Sequence, residues 1–347
     1  MKAAVGVPGK PELIALRELP DPVAGPGELL VAGLAVGVCG TDREVVNQGY
    51  GALPPDREEM VLFHESLGRV LTAPEGSGFS PGDLVVGIVR RPDPEPCGAC
   101  ADGQWDFCRN GEYTERGIQA LDGYGAQLWT VETGFAVRLD PALGELGVLT
   151  EPTSVVAKVW DQIERIGQRG YFRPRTVLVT GAGPIGLLAA LLGVQRGLDV
   201  HVVDRTRTGP KPELVFGMGA WFHGDLAEIS FEPDIVIECT GAPEVVFEVL
   251  RRTSRNSITV LTGLSGDEGE LPLPGGEINN GMVLRNGVVV GSVNGNLRHY
   301  RRAAAALADT DRSWLGGLIT RRVPLADWTA ALTPEKDDVK VVIDLQD

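Results

Sequence analysis

Three groups of residues in this 347-residue chain have the types and spacing that chemistry uses. The first is Cys39, with Thr41 two positions on, followed 25 residues after Cys39 by His64 and Glu65. Thiolate, imidazole and carboxylate are all zinc ligand types, and a catalytic zinc keeps one position open for substrate. Taken singly, Cys39 reads equally as an inert buried thiol, and His64 as a satisfied core or surface imidazole. The second group is Cys97, Cys100 and Cys108. Close-set cysteines in an odd total of five favour metal over disulfides in a reducing compartment. Structural zinc normally takes four ligands, so an oxygen such as that of Asp93, or water, would have to complete the set, or the loop stays empty.

The third group is Gly181-Ala-Gly183-Pro184-Ile185-Gly186, between an apolar strand and an apolar helix. The first glycine allows the tight turn, the second lets a pyrophosphate approach, and the third lets helix and strand pack closely. The helix N-terminus adds free N–H groups and partial positive charge, and Pro184 forfeits only an N–H that had no partner. Asp204 ends the next strand, 18 residues after Gly186, where a carboxylate can bond the adenosine ribose hydroxyls. NAD is therefore expected over NADP, although Arg205 and Arg207 could clamp a 2′-phosphate, and Asp204 also reads as a solvated strand-end carboxylate. Thr240, Gly263 and Asn294 complete the expected dinucleotide contacts.

These groups need a frame. Residues 1–155 are rich in Gly and Pro with short Val/Leu runs, the pattern of a compact, mostly antiparallel β unit. From 156 the pattern changes to strands alternating with helices, with strands near 176, 199, 234, 257 and 287 and helices at 156–167, 185–195 and 244–252, which means a doubly wound parallel sheet. Beyond about 295 come a helix at 297–308, another near 325–332 and a closing strand from Lys340. Cys239 is read as core packing, and His201, His223 and His299 as structural.

In order along the chain, Val38-Cys39-Gly-Thr41-Asp42, His64-Glu65-x-x-Gly68, Pro81-Gly82-Asp83-x-Val85, the cysteine cluster and the Gly181 loop resemble the zinc-containing medium-chain alcohol dehydrogenases over nearly the whole length. The resemblance implies an α/β protein with a GroES-like catalytic domain, 1–155 and 296–347, and a Rossmann domain, 156–295. It implies catalytic zinc on Cys39 and His64 with Glu65 or Glu151 as an interchangeable third ligand, proton relay through Thr41, and structural zinc on Cys97, Cys100 and Cys108. That ion is expected to face the nicotinamide. Two departures stand out: Phe63 where the family usually has glycine, and Pro94 where it has the first lobe cysteine.

Segments around Glu115, Glu151 and Asn294 resemble the glucose dehydrogenase branch, which implies a sugar substrate oxidised at the anomeric carbon to an aldonolactone. A sugar pocket needs convergent carboxylates and amides, and Glu115, Glu151 and Asn294 match that need. Glu115 reads alternatively as a surface carboxylate and Asn294 as a turn former. A polyol, amino-alcohol or cyclitol dehydrogenase, and a catalytically silent dinucleotide binder, are the competing readings. The net charge of −15 argues against nucleic acid and anionic membranes as partners. With no signal-peptide pattern, a cytoplasmic protein is expected. An apolar last sheet strand predicts a homodimer or homotetramer.

Overall fold

The structure is a computed structural model describing residues 1–266 and 272–346. The chain divides into two compact units, Met1–Ser154 with Gly295–Asp347, and Val155–Asn294.

The first unit is built on a seven-stranded sheet. Its order is Ala136–Arg138, Leu84–Gly87, Glu65–Thr72, Glu28–Val38, Lys340–Asp344 and Ile319–Pro324, with Leu128–Glu132 also paired to Glu28–Val38. Strand Glu28–Val38 alternates half-buried and buried side chains along its first half, so one face meets the core, and its last four residues are all buried. Two partners close on that end. Gly37 pairs with Glu65 on one side and with Val342 on the other. The return of the chain's end thus inserts its closing strand beside the first group of chemical residues. The core on this sheet gathers Val36, Phe63, Tyr124, Trp129 and Trp328 among others. The segment near 325–332 is a 3-10 helix kinked at Asp327 rather than one regular helix.

The second unit is a six-stranded, wholly parallel sheet ordered Trp221–His223, Asp199–Val203, Thr176–Thr180, Ile235–Glu238, Ile258–Leu261 and Val288–Gly291. Its central strands are buried apolar runs, as a sheet covered on both faces requires. Val288–Gly291 lies at the sheet edge with its valines half-exposed. Among the described residues, no helix is long and apolar enough to cross a membrane.

Two boundaries differ from the sequence reading. The helix expected from 156 begins at Thr150, because its first turn carries Pro152 and Glu151, both favourable at a helix start, while the apolar periodicity becomes visible only later. Strand Ile235–Glu238 stops before Cys239. Cys239, the next residue, is half-buried as a whole, and burial pushes its thiol pKa up, as a thiol packed against the core would be.

Candidate active site

Cys39 ends strand Glu28–Val38 and caps helix Gly40–Gln48, where Asp42 Oδ2 accepts from the Cys39 N–H at 2.8 Å. His64 and Glu65 enter the next strand of the same sheet. Cys39 Sγ lies 3.3 Å from His64 Nε2, and ligand atoms of Cys39, His64 and Glu65 all fall within 4.8 Å of one another. His64 Nδ1 sits 2.9 Å from Asp42 Oδ1, at ion-pair distance but off the line of a hydrogen bond, which leaves Nε2 turned to Cys39. Burial pushes the His64 pKa down, but Asp42 and Cys39 overcome it and hold the imidazole well above its ordinary value. Burial likewise opposes Asp42, whose pKa is nonetheless lowered by His64. A soft sulfur, an imidazole nitrogen and a carboxylate oxygen converging at this distance fit zinc.

Glu65 is tied from its far side by Lys340, an ion pair with both side chains 2% exposed or less. Lys340 also donates to the Val38 carbonyl at 3.1 Å. Burial would discharge the ammonium, but Glu65 and Cys39 keep its pKa raised. Sequence reasoning missed Lys340, since a lysine opening an apolar strand carries no sign of the carboxylate 275 positions earlier. Glu151 lies in the first turn of its helix, buried, outside the three-residue set. Burial raises its carboxyl pKa to about 7, with the charge of Glu65 adding to the effect and His64 opposing it. Thr41 is half-buried in the first turn of helix Gly40–Gln48, and capping falls to Asp42, not to Thr41.

Phe63 accounts for its own departure from glycine. Its φ is 69°, the left-handed region where glycine is the usual occupant. The ring is buried edge-on against Trp328, with centroids 5.6 Å apart. Side chains at Gly117, Gly123 and Gly125 would each collide with Phe63. Gly125 leaves room for the ring and Gly117 and Gly123 for the Phe63 backbone, and His64 keeps its place beside Cys39.

Glu115 is buried rather than a surface carboxylate. It accepts from Arg90 Nε at 2.9 Å, and the Arg90 guanidinium stacks 3.7 Å above the Tyr113 ring. Asn294 has φ of 60°, so the turn-forming reading holds for its backbone.

The sulfurs of Cys97, Cys100 and Cys108 also lie within 4.8 Å of one another. The Arg109 and Cys100 N–H groups bring the Cys97 pKa down to about 6, whereas burial pushes Cys100 up to about 11. Asp93 is buried, its Oδ2 has no hydrogen-bond partner, and it stands outside that set of three sulfurs. Pro94 is exposed.

In the second unit, Gly181 has a φ of 89°, the left-handed region where glycine is the usual occupant. A Cβ at Gly186 would overlap the Gly181 carbonyl, while one at Gly183 would meet nothing within 4 Å and project into open space. The loop borders a cavity of about 560 Å³ lined by Gly181, Gly183, Asp204, Arg205 and Thr240, with Cys239 also on its wall. Gly263 approaches Gly241 so closely that no side chain fits. Asp204 accepts from Ala182 N and Thr206 N, both at 2.8 Å, and from Lys211 at 3.2 Å. Burial opposes its charge, but those two N–H groups, with Lys211, hold the carboxyl pKa below its ordinary value. Arg205 is exposed, and Arg207 pairs with Glu228 at 2.8 Å.

Glu238 is a second residue missed from sequence. Fully buried, it accepts from Thr180 Oγ1 at 3.1 Å, Thr240 N at 2.7 Å and Gly241 N at 3.2 Å, and it also bonds the Thr240 hydroxyl. One carboxylate thereby joins two strand ends to the loop carrying Thr240. The histidines also have partners that spacing did not reveal. His201 Nδ1 lies 2.9 Å from His223 Nε2 across adjacent parallel strands, and His299 Nδ1 accepts from Asn296 N at 3.1 Å.

The family models agree with this architecture. Residues 25–141 match the alcohol dehydrogenase GroES-like domain, and residues 144–345 match the glucose dehydrogenase C-terminus. The chain belongs to the zinc-dependent medium-chain dehydrogenases, in their glucose dehydrogenase branch. Among its relatives, the glucose 1-dehydrogenase of Thermoproteus tenax is 39% identical, with 100% of both chains covered. That of Methanocella arvoryzae is 36% identical over 99% of each. The glucose dehydrogenase of Haloferax mediterranei, solved with NADP, zinc and gluconolactone, superposes with a TM-score of 0.91 at 29% identity, covering 100% of both chains.

Proposed function

We propose that this dehydrogenase oxidises the anomeric hydroxyl of an aldose such as glucose to the aldonolactone, with hydride passed to NAD or NADP. The observation that carries the reading is the convergence of ligand atoms of half-buried Cys39 and buried His64 and Glu65 to within 4.8 Å of one another. The Thermoproteus, Methanocella and Haloferax relatives, each named for glucose, support the substrate class.

Cys39 and His64 would hold the zinc, with Glu65 beside them. Zinc bound there supplies Lewis acidity that eases loss of the alcohol proton, and the dinucleotide accepts the hydride. Asp42 orients His64 and presents its Nε2. The Thr41 hydroxyl would pass the substrate's proton outward. Glu151, with its carboxyl near pKa 7, can both donate to and accept from a sugar hydroxyl at neutral pH. Glu115 and Asn294 are the other proposed sugar contacts. Cys97, Cys100 and Cys108 are proposed to hold a structural zinc through three sulfurs.

The finer cofactor reading, NAD ahead of NADP, rests on Asp204, whose charge opposes a 2′-phosphate. Lys211 and Arg205 beside it offset part of that penalty, so we infer that both dinucleotides are used, with NAD ahead. A homo-oligomer is proposed from the half-exposed edge strand Val288–Gly291.

The test is reduction of NAD and NADP with a panel of sugars and polyols, before and after chelation. Glucose, galactose or xylose should lead, and activity should vanish with the metal. Better rates with sorbitol, threonine or inositols defeat the sugar assignment, and dinucleotide binding without metal-dependent turnover would identify a silent binder.

A further inference from the structure

Lys340 contacts the Cys39, His64 and Glu65 group through Glu65, and nothing in the proposed chemistry uses it. Its placement is specific. The ammonium is enclosed, contacts Glu65 Oε2, and donates to the carbonyl of Val38, the residue preceding Cys39. Gly37 stands between them, and a Cβ there would overlap Glu65 Oε2 and come within 2.8 Å of Lys340 Cε. A strand residue is thus kept without a side chain where the ion pair needs the space.

A carboxylate shared between an ammonium and a dication gives each less than it would give alone. Enclosure strengthens that competition, because little water is present to screen it. We propose that Lys340 is a positioning residue that competes with the metal for the Glu65 carboxylate, holding Glu65 near the ion as a weak rather than a tight ligand. The inference rests on the metal centre proposed above and deepens it. It also gives the chain's end a role, since the strand that closes the sheet delivers the competing charge.

The test is a double-mutant cycle read as zinc affinity by chelator competition, with the His64→Ala variant reporting the share held by the cysteine lobe. Lys340→Met leaves Glu65 to the ion alone and should tighten zinc binding by about tenfold or more. In a Glu65→Gln background, the same Lys340→Met change should alter affinity by less than about threefold. Should the methionine variant fail to fold, Lys340→Gln keeps a donor to Glu65 without the charge and should shift affinity in the same direction by a smaller factor. Unchanged or weakened binding in the variant that folds, or an equal change in both backgrounds, overturns the role of Lys340 alone. Identical zinc binding by wild type and His64→Ala overturns the metal centre itself, and this inference with it.

Discussion

Phe63 shows at the level of a single residue how strain and packing trade against each other. A left-handed backbone costs a non-glycine residue about 1–2 kcal/mol, whereas truncating a buried phenylalanine to alanine costs about 3–5 kcal/mol. Packing wins, which is why a ring can stand at a left-handed position that otherwise favours glycine. Phe63→Ala should therefore lose about 3–5 kcal/mol in denaturant unfolding, and Phe63→Gly about 1–2 kcal/mol less than that, because glycine relieves the backbone. A glycine variant less stable than the alanine variant would show that the φ of 69° carries no strain.

Glu151 makes a pH prediction. Its folded pKa of about 7 lies above the ordinary 4.5, so the neutral form is favoured by folding. The stability this confers is complete below about pH 4.5 and is lost as pH rises through 7. In metal-free protein, Glu151→Gln should remove that slope, worth on the order of 3 kcal/mol across the window. Parallel stability curves for the two proteins between these pH values would contradict the buried, proton-holding carboxyl. Asp204→Asn removes the charge and keeps an acceptor for one of the two loop N–H groups, its amide nitrogen facing the other, so the preference should move toward NADP by about tenfold, near 1.4 kcal/mol. An unchanged NAD to NADP ratio of binding constants removes Asp204 from the discrimination.

The glycine loop separates two functions within one element. Gly186 is a packing position, where any Cβ meets the Gly181 carbonyl, and Gly183 is the proposed ligand position, where a Cβ meets only open space. Gly183→Val should fold with little loss of stability yet weaken dinucleotide binding by about a hundredfold, whereas Gly186→Val should unfold the unit. Calorimetric titration alongside a melting curve separates them, and a Gly183→Val protein that binds as wild type does would refute the cradle. This element was legible in the sequence because its strand, turn and helix are contiguous and each glycine answers a local demand. The metal group was legible for a different reason, since Cys39, His64 and Glu65 sit on neighbouring strands of one sheet, where a pattern of types along the chain maps onto contact. Lys340, Glu238 and the pairing of Arg90 with Glu115 were not legible. Each joins segments whose proximity is fixed by sheet order, and a lysine or glutamate at a strand end looks the same whether it faces water or a buried partner.

On the scale of the whole molecule, both units carry consequences of where the chain returns. Strand Lys340–Asp344 lies beside Glu28–Val38 in the sheet of the first unit and brings the Lys340 ammonium to Glu65. Topology, rather than local pattern, therefore sets the electrostatics of the metal group. The second unit is more local in character, with strands joined by intervening helices, and its outline could be read almost entirely from alternation of apolar runs and helical periods.

The central claim is that the buried imidazole of His64 serves a metal on which turnover depends while dinucleotide binding does not. The most direct measurement is the rate of dinucleotide reduction by glucose in His64→Ala, with the dinucleotide dissociation constant determined on the same sample. The account predicts a rate lowered by about a thousandfold, several kcal/mol of lost Lewis-acid assistance, with binding within about threefold of wild type. A His64→Ala protein that reduces the dinucleotide at the wild-type rate would contradict it.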